Sequence, residues 1–250
     1  MGLGAAICLF LLTLGLVLAA PARSAEVDLQ LVLAVDVSRS IDDQEYELQK
    51  RGYAEAFEHP AVLQAIRAGK HRAIAVTLIE WSGADHQQVQ VPWSVITDEA
   101  SARDFFERLM ATRRAFWGWT SISAAIDFAV RVLADCPHVA ERRVIDVSGD
   151  GVNNSGRPVH HARDDALAGG VIVNGLVIMN DRPVPGFVAP RQEPPLDDFY
   201  REQVIGGPGA FLIVVDDFVA FAHALRNKLI REIAGDIRPV TLAEASLDAR

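Results

Sequence analysis

The sequence predicts an α/β domain, a mostly parallel sheet with helices on both faces, and three observations carry that prediction. Residues 29–35, Leu-Gln-Leu-Val-Leu-Ala-Val, form a near-continuous apolar run rich in β-branched residues, which reads as a strand buried on both faces. Similar runs at residues 72–80, 143–148 and 171–179 alternate with stretches of helical periodicity, the pattern of a sheet crossed by helices. The chain has 250 residues, 50% of them hydrophobic, enough for one large core.

The amino terminus reads differently. Residues 5–20 are almost wholly apolar, and the small residues Ala20, Ala22, Ser24 and Ala25 follow. That is the hydrophobic region and cleavage zone of a secretory signal peptide, although no Lys or Arg precedes the run. Residues 1–25 are therefore expected to be an export signal and residues 26–250 the folded domain. The mature protein is expected in the periplasm or outside the cell. No stable membrane span is expected after cleavage, because the run falls short of the ~20 residues a span needs. An uncleaved anchor is the alternative. Removal of Cys8 with the signal leaves Cys136 alone, so no intramolecular disulfide can form and packing at a helix end is its expected role. With 24 Lys+Arg against 33 Asp+Glu the net charge is -9. That argues against a general nucleic-acid binder and offers no polybasic patch to anionic lipid.

The remaining elements follow in order. Residues 42–58 place Tyr46, Tyr53 and Phe57 on one helical face. Asp42, Asp43 and Glu45 lie in the first turn, and Ser40 with Asp43 fits a Ser-x-x-Asp cap. An apolar turn around Val62 and Ile66 comes after Pro60, and the strand at 72–80 is closed by Trp81-Ser82-Gly83. Residues 89–96 alternate, and the short link before them makes an antiparallel edge strand that tolerates Pro92. Residues 98–112 and 121–134 read as amphipathic helices, 143–148 as a strand and 159–168 as a helix stopped by Gly169-Gly170. After the strand at 171–179, residues 180–195 are proline-rich, an ordered excursion or a flap. A short helix at 196–204, a last strand at 210–215 and a closing helix at 216–234 complete the domain. That helix turns Phe218, Phe221, Leu225 and Leu229 inward, and the tail from 236 is ambiguous.

Asp36-x-Ser38-x-Ser40 sits at the carboxyl end of the first strand, where open α/β sheets bind ligands. Three hard oxygen donors suit a divalent cation such as Mg2+. Thr120 precedes a helix and could be simply its N-cap; Asp150 follows the strand at 143–148 and could be simply an Asp-Gly turn. If that strand neighbours the first, the loops meet where strand order reverses. Asp36, Ser38, Ser40, Thr120 and Asp150 would then converge. Asp146, four residues before Asp150, points to the other side of the strand end and ranks lower.

In these residues the chain resembles a von Willebrand factor A domain with a metal-ion-dependent adhesion site. The family pattern is Asp-x-Ser-x-Ser after the first strand, a Thr before a helix and an Asp after the fourth strand; here they fall on Asp36, Ser38, Ser40, Thr120 and Asp150. The stretches 117–121 and 143–151 are similar to those of a group of secreted bacterial proteins with this domain. The resemblance implies a Rossmann-like, open, mostly parallel sheet of six strands with helices on both faces. It implies a cation, Mg2+ with Mn2+ or Ca2+ as alternatives, bound by the hydroxyls of Ser38, Ser40 and Thr120 and, directly or through water, by Asp36 and Asp150. It also implies an open coordination position that takes an Asp or Glu carboxylate from a partner protein. Trp81, Trp117, Trp119 and Asn153 are candidate partner contacts, with core packing as the alternative for the tryptophans. One departure is the third loop, Gly149-Asp150-Gly151, where the family has Thr-Asp-Gly.

Enzyme motifs are scarce. The sequence has no Gly-x-Gly-x-x-Gly after the first strand, no phosphate-binding Gly-x-x-x-x-Gly-Lys-Ser/Thr and no Gly-x-Ser-x-Gly elbow. A metal-assisted phosphoryl hydrolase using Asp36 and Mg2+ is the rival reading. It lacks a second carboxylate two residues after Asp36. His160 and His161 are adjacent, hence about 100° apart on a helix, and read as a solvated face.

Overall fold

The computed structural model describes residues 24–179, 194–216 and 218–235, without the side chains of 218 and 219. The body of the expected export signal, residues 180–193 of the proline-rich stretch, the tail from 236 and the side chain of Phe218 lie outside the described residues.

The chain begins with β1 (Glu26–Val27), β2 (Leu29–Asp36), α1 (Asp43–Glu58), α2 (Pro60–Ala68), β3 (Ile74–Trp81) and β4 (Gln87–Ile96). Next come α3 (Glu99–Met110), α4 (Ile122–Ala134), β5 (Val139–Ala140), β6 (Arg143–Gly149), α5 (Val159–Ala168) and β7 (Ile172–Ile178). α6 (Leu196–Phe199) runs straight into a π-helical turn, Tyr200–Val204, ahead of β8 (Leu212–Val215) and α7 (Phe218–Ala234). The six-stranded sheet has the order β4-β3-β2-β6-β7-β8. β3 and β4 pair antiparallel, and the other neighbours pair parallel. Pro92 lies on the edge strand β4, as its missing N–H requires. β1 and β5 form a two-residue parallel ladder that no sequence pattern announced.

β2 lies between β3 and β6, and every one of its residues is buried. Its side chains alternate between two cores. Leu29, Leu31, Leu33 and Val35 pack under α1, α2, α3 and α7, with Tyr53, Phe57, Phe105 and Phe221. Val32 and Ala34 pack under α4, α5 and the Tyr200 turn. Complete burial of each large apolar side chain contributes about 1.5–3 kcal/mol. Cys136 is half-buried against the small cluster of Val27, Ala73 and Ala75.

Two caps differ from expectation. α1 is capped by Asp42, which accepts from Glu45 N at 2.8 Å while the Glu45 carboxylate accepts from Asp42 N at 2.9 Å. This reciprocal box displaces the Ser40/Asp43 cap, because Ser40 lies two residues before the position that caps the helix. α4 is capped by Ser121, whose Oγ accepts from Ala124 N. Both substitutions release a hydroxyl, Ser40 and Thr120, from backbone duty.

One charged cluster is buried beside the sheet. Lys228 of α7 is fully buried, forms an ion pair with Asp146 of β6 at 2.6 Å and also pairs with Glu232. Asn174 of β7 donates to Glu232 at 3.1 Å and accepts from Phe211 N at 3.1 Å. Asp146 is thus committed to a structural pairing with Lys228 of α7.

Candidate metal centre

The parallel pairing of β2 with β6 sets the loop after Asp36 beside the loop after Gly149. Strand order reverses at this point, since β2 leads to β3 on one side and β6 leads to β7 on the other. Thr120, just ahead of α4, joins them because Ser121 N donates to Ser82 O at 2.8 Å at the end of β3.

Four of the five expected residues form one hydrogen-bonded line. Thr120 Oγ1 donates to Ser38 Oγ at 3.3 Å, Ser38 Oγ and Ser40 Oγ are 3.2 Å apart, and Ser40 Oγ donates to Asp150 Oδ1 at 2.6 Å. Asp36 flanks the line: its Oδ1 accepts from Ser38 N at 2.7 Å. Its Oδ2 is buried and has no hydrogen-bond partner among the described residues. Burial, and then the neighbouring Asp150 charge, push the Asp36 carboxyl up to about 8.

Several residues hold this geometry. Arg114 donates to Val37 O at 2.8 Å and Ser38 O at 2.7 Å, clamping the first loop from outside. Asn154 Oδ1 accepts from Thr120 N at 2.8 Å, and Asn154 N donates back to Thr120 O at 2.9 Å. Glu80 is buried and accepts from Tyr46, Gln90 and the Ala115 amide, which ties the segment before Thr120 to β3. Burial raises the Glu80 carboxyl above its ordinary range. Arg114 and Asn154 were not picked out from sequence as site residues. Arg114 follows another arginine in a stretch without periodicity, and Asn154 belongs to an Asn-Asn pair that nothing local distinguishes.

The candidate partner contacts separate cleanly. Trp117 and Trp119 are 57% and 70% exposed on the rim. The Arg114 guanidinium lies 3.6 Å from the centre of the Trp117 ring. Trp81 is corrected: it is the last residue of β3, fully buried with Ile79 and Ile126, so it packs the core and cannot touch a partner. Asn153 is corrected too. Its Oδ1 accepts from Ser123 N at 3.1 Å and its Nδ2 donates to Arg157 O at 3.2 Å, so both ends of its amide are spent holding the loop to α4. The rings of His160 and His161 meet edge to face, centroids 4.3 Å apart.

The donor set fits a hard divalent cation. It offers three hydroxyls and two carboxylates, and one oxygen of the Asp36 carboxylate has no donor among the described residues, which is oxygen-only chemistry. Among the described residues no group of three or more His, Cys, Asp or Glu could hold a metal. No helix among them is long and apolar enough to cross a membrane.

The chain has the von Willebrand factor A fold, as comparison with solved structures bears out. The mussel byssus proximal thread matrix protein 1, in a form with a zinc-occupied adhesion-site motif, aligns with TM-score 0.61 and 16% identity over 85% of this chain and 50% of that one. A von Willebrand factor type A protein from Catenulispora acidiphila aligns with TM-score 0.55 and 13% identity over 84% of this chain and 43% of that one. The pilus adhesin SpaC of Lactobacillus rhamnosus GG aligns with TM-score 0.59 and 15% identity, over 84% and 31%. The chain thus spans half or less of each of these proteins. Residues 26–237 match the family described as protein of unknown function DUF1194, and the chain belongs to that family. No curated protein matches it.

Proposed function

We propose that this domain is a divalent-cation-dependent protein-binding module of the adhesion type. The observation that carries this reading is the unbroken line Thr120–Ser38–Ser40–Asp150, flanked by the donor-free oxygen of Asp36. Ser38, Ser40 and Thr120 would supply neutral oxygens, and Asp36 and Asp150 the charge. When bound, the cation supplies an electrophilic position for a carboxylate oxygen. A shell rich in neutral ligands leaves that position in need of an anion, which an Asp or Glu of a partner would provide. Trp117 and Trp119, exposed beside it, would add the apolar contact area that anchors interfaces. Mg2+ is our first choice of ion, with Mn2+ or Ca2+ as alternatives. Residues 1–25 would direct the protein to the periplasm or cell exterior, where such a partner would be met.

Turnover is not part of this reading. A phosphoryl hydrolase would use Asp36 as nucleophile or ligand, yet Ser38 stands two residues later where that chemistry calls for a second carboxylate. The test is capture of proteins from the envelope fraction on immobilised domain, with Mg2+ and with chelator. Capture that needs metal and disappears in Asp36→Ala supports the module. Metal-dependent phosphatase turnover abolished by the same substitution would favour the hydrolase instead.

A further inference from the structure

Tyr200 is fully buried, and its phenol oxygen has no hydrogen-bond partner among the described residues. It is the first residue of the π-helical turn that follows α6, far from the sequence motifs of the site. π-Turns of this kind are rare insertions that re-aim side chains, frequently at functional sites. Here the turn delivers the phenol to Gly149. A Cβ on Gly149 would lie 2.7 Å from the Tyr200 oxygen and 3.0 Å from Asp36 Oδ2. Two buried polar atoms without partners among the described residues, one a donor and the other an acceptor, therefore both border the same bare Cα without bonding each other. The third loop's departure from Thr-Asp-Gly has its physical reason at this spot: a side chain at 149 would occupy the space that the phenol uses.

We propose that Tyr200 is a positioning residue of the cation site, its phenol O–H turning to Asp36 Oδ2 when a cation is bound and so orienting that carboxylate. The inference rests on the cation reading above and deepens it. An outer hydrogen bond of this kind fixes a ligand's orientation and moderates the charge crowded between two carboxylates. Without a bound cation the phenol is a buried hydroxyl lacking a partner, which is a cost to the fold. The residue should therefore matter to the ion more than to folding.

Tyr200→Phe separates these roles, because it deletes one oxygen and keeps the ring. Mn2+ affinity would be measured by paramagnetic resonance titration, together with thermal melts in chelator and in saturating Mn2+. The expected result is an affinity loss of about tenfold or more, with a melting temperature in chelator equal to or above that of wild type. Wild-type protein should also show a tyrosine ultraviolet difference band on Mn2+ addition that Tyr200→Phe lacks. If wild type binds Mn2+ and Tyr200→Phe binds it equally well, the Tyr200 inference falls and the site reading stands. If wild type binds no cation, both fall. A lower melting temperature in chelator with unchanged affinity would make Tyr200 a packing residue only, and would also overturn the inference.

Discussion

Ser40 Oγ donates to Asp150 Oδ1 at 2.6 Å across 110 positions of sequence. That bond joins two of the loops, and Thr120 adds the third through Ser38. The residues are consequently expected to behave as one unit. Asp36→Ala, Thr120→Ala and Asp150→Ala should each weaken divalent binding about tenfold or more in titration calorimetry. Pairs of these substitutions should lose less than the sum, since an emptied site has little left to lose. Thr120→Ala should leave stability in chelator nearly unchanged, because Ser121 is the helix cap. A drop of ~1 kcal/mol there, the usual cost of a lost cap, would contradict this.

Trp119→Ala should reduce partner capture while leaving cation affinity and melting temperature alone. Exposed aromatic anchors typically account for about 2 kcal/mol or more of an interface, and surface changes for less than about 0.5 kcal/mol of stability. Trp117→Ala should add a stability loss of ~0.5–1 kcal/mol, because the Arg114 guanidinium stacks on that ring. Equal capture by wild type and Trp119→Ala would remove this tryptophan from the interface.

Arg114→Met should loosen the first loop from outside. The two hydrogen bonds it removes leave the carbonyls of Val37 and Ser38 without this donor, at an expected cost of about 1–3 kcal/mol in urea melts. Cation affinity should fall along with it. Loss of stability with full affinity would show that the clamp serves the fold alone.

Gly149→Ala should destabilise by about 1–3 kcal/mol through overpacking, since its Cβ meets the Tyr200 and Asp36 oxygens. Removing the phenol oxygen makes room, so Tyr200→Phe in the Gly149→Ala background should recover part of the loss. A double mutant with purely additive melts would mean that the two positions do not share that space.

Stability should depend on pH through Asp146. Burial and the neighbouring Glu232 charge push its carboxyl up to about 7, against the pull of Lys228; Tyr53 of α1 faces it as well. The folded chain therefore holds a proton that the unfolded chain has released. Stability from this group is fully present below the ordinary carboxylate range and is lost as pH rises through about 7. Asp146→Asn should flatten the slope of unfolding free energy between about pH 5 and 7.5. An unchanged slope would place the titration elsewhere.

Much of the fold was legible because apolar runs and helical periods are local signals. β2 announced itself, and its neighbour β6 could be found from an apolar run ending in Gly-Asp-Gly. Thr120 and Asp150 were legible only in combination with topology, since each also fits a cap or a turn by itself. The tryptophans show where local reading stops. All residues of β3 are buried, so two-residue alternation cannot tell that Trp81 faces the core while Trp119 faces solvent. Tyr200 was out of reach for a different cause. Its place depends on a π-turn, one residue out of step with the helical period, and on a glycine 51 positions earlier.

The buried ammonium of Lys228 has a mechanical consequence. It anchors α7 to β6 through Asp146, and Glu232 one turn later ties the same helix to Asn174 of β7. Sliding α7 by one turn, about 5.4 Å, would strip these partners from charges surrounded by apolar side chains. Breaking one such buried pair typically costs about 3–5 kcal/mol. The helix is bolted to the sheet where apolar packing alone would let it glide. Saturating Mn2+ is accordingly expected to slow amide exchange in the loops around Asp36, Thr120 and Asp150 and to leave α7 as it was.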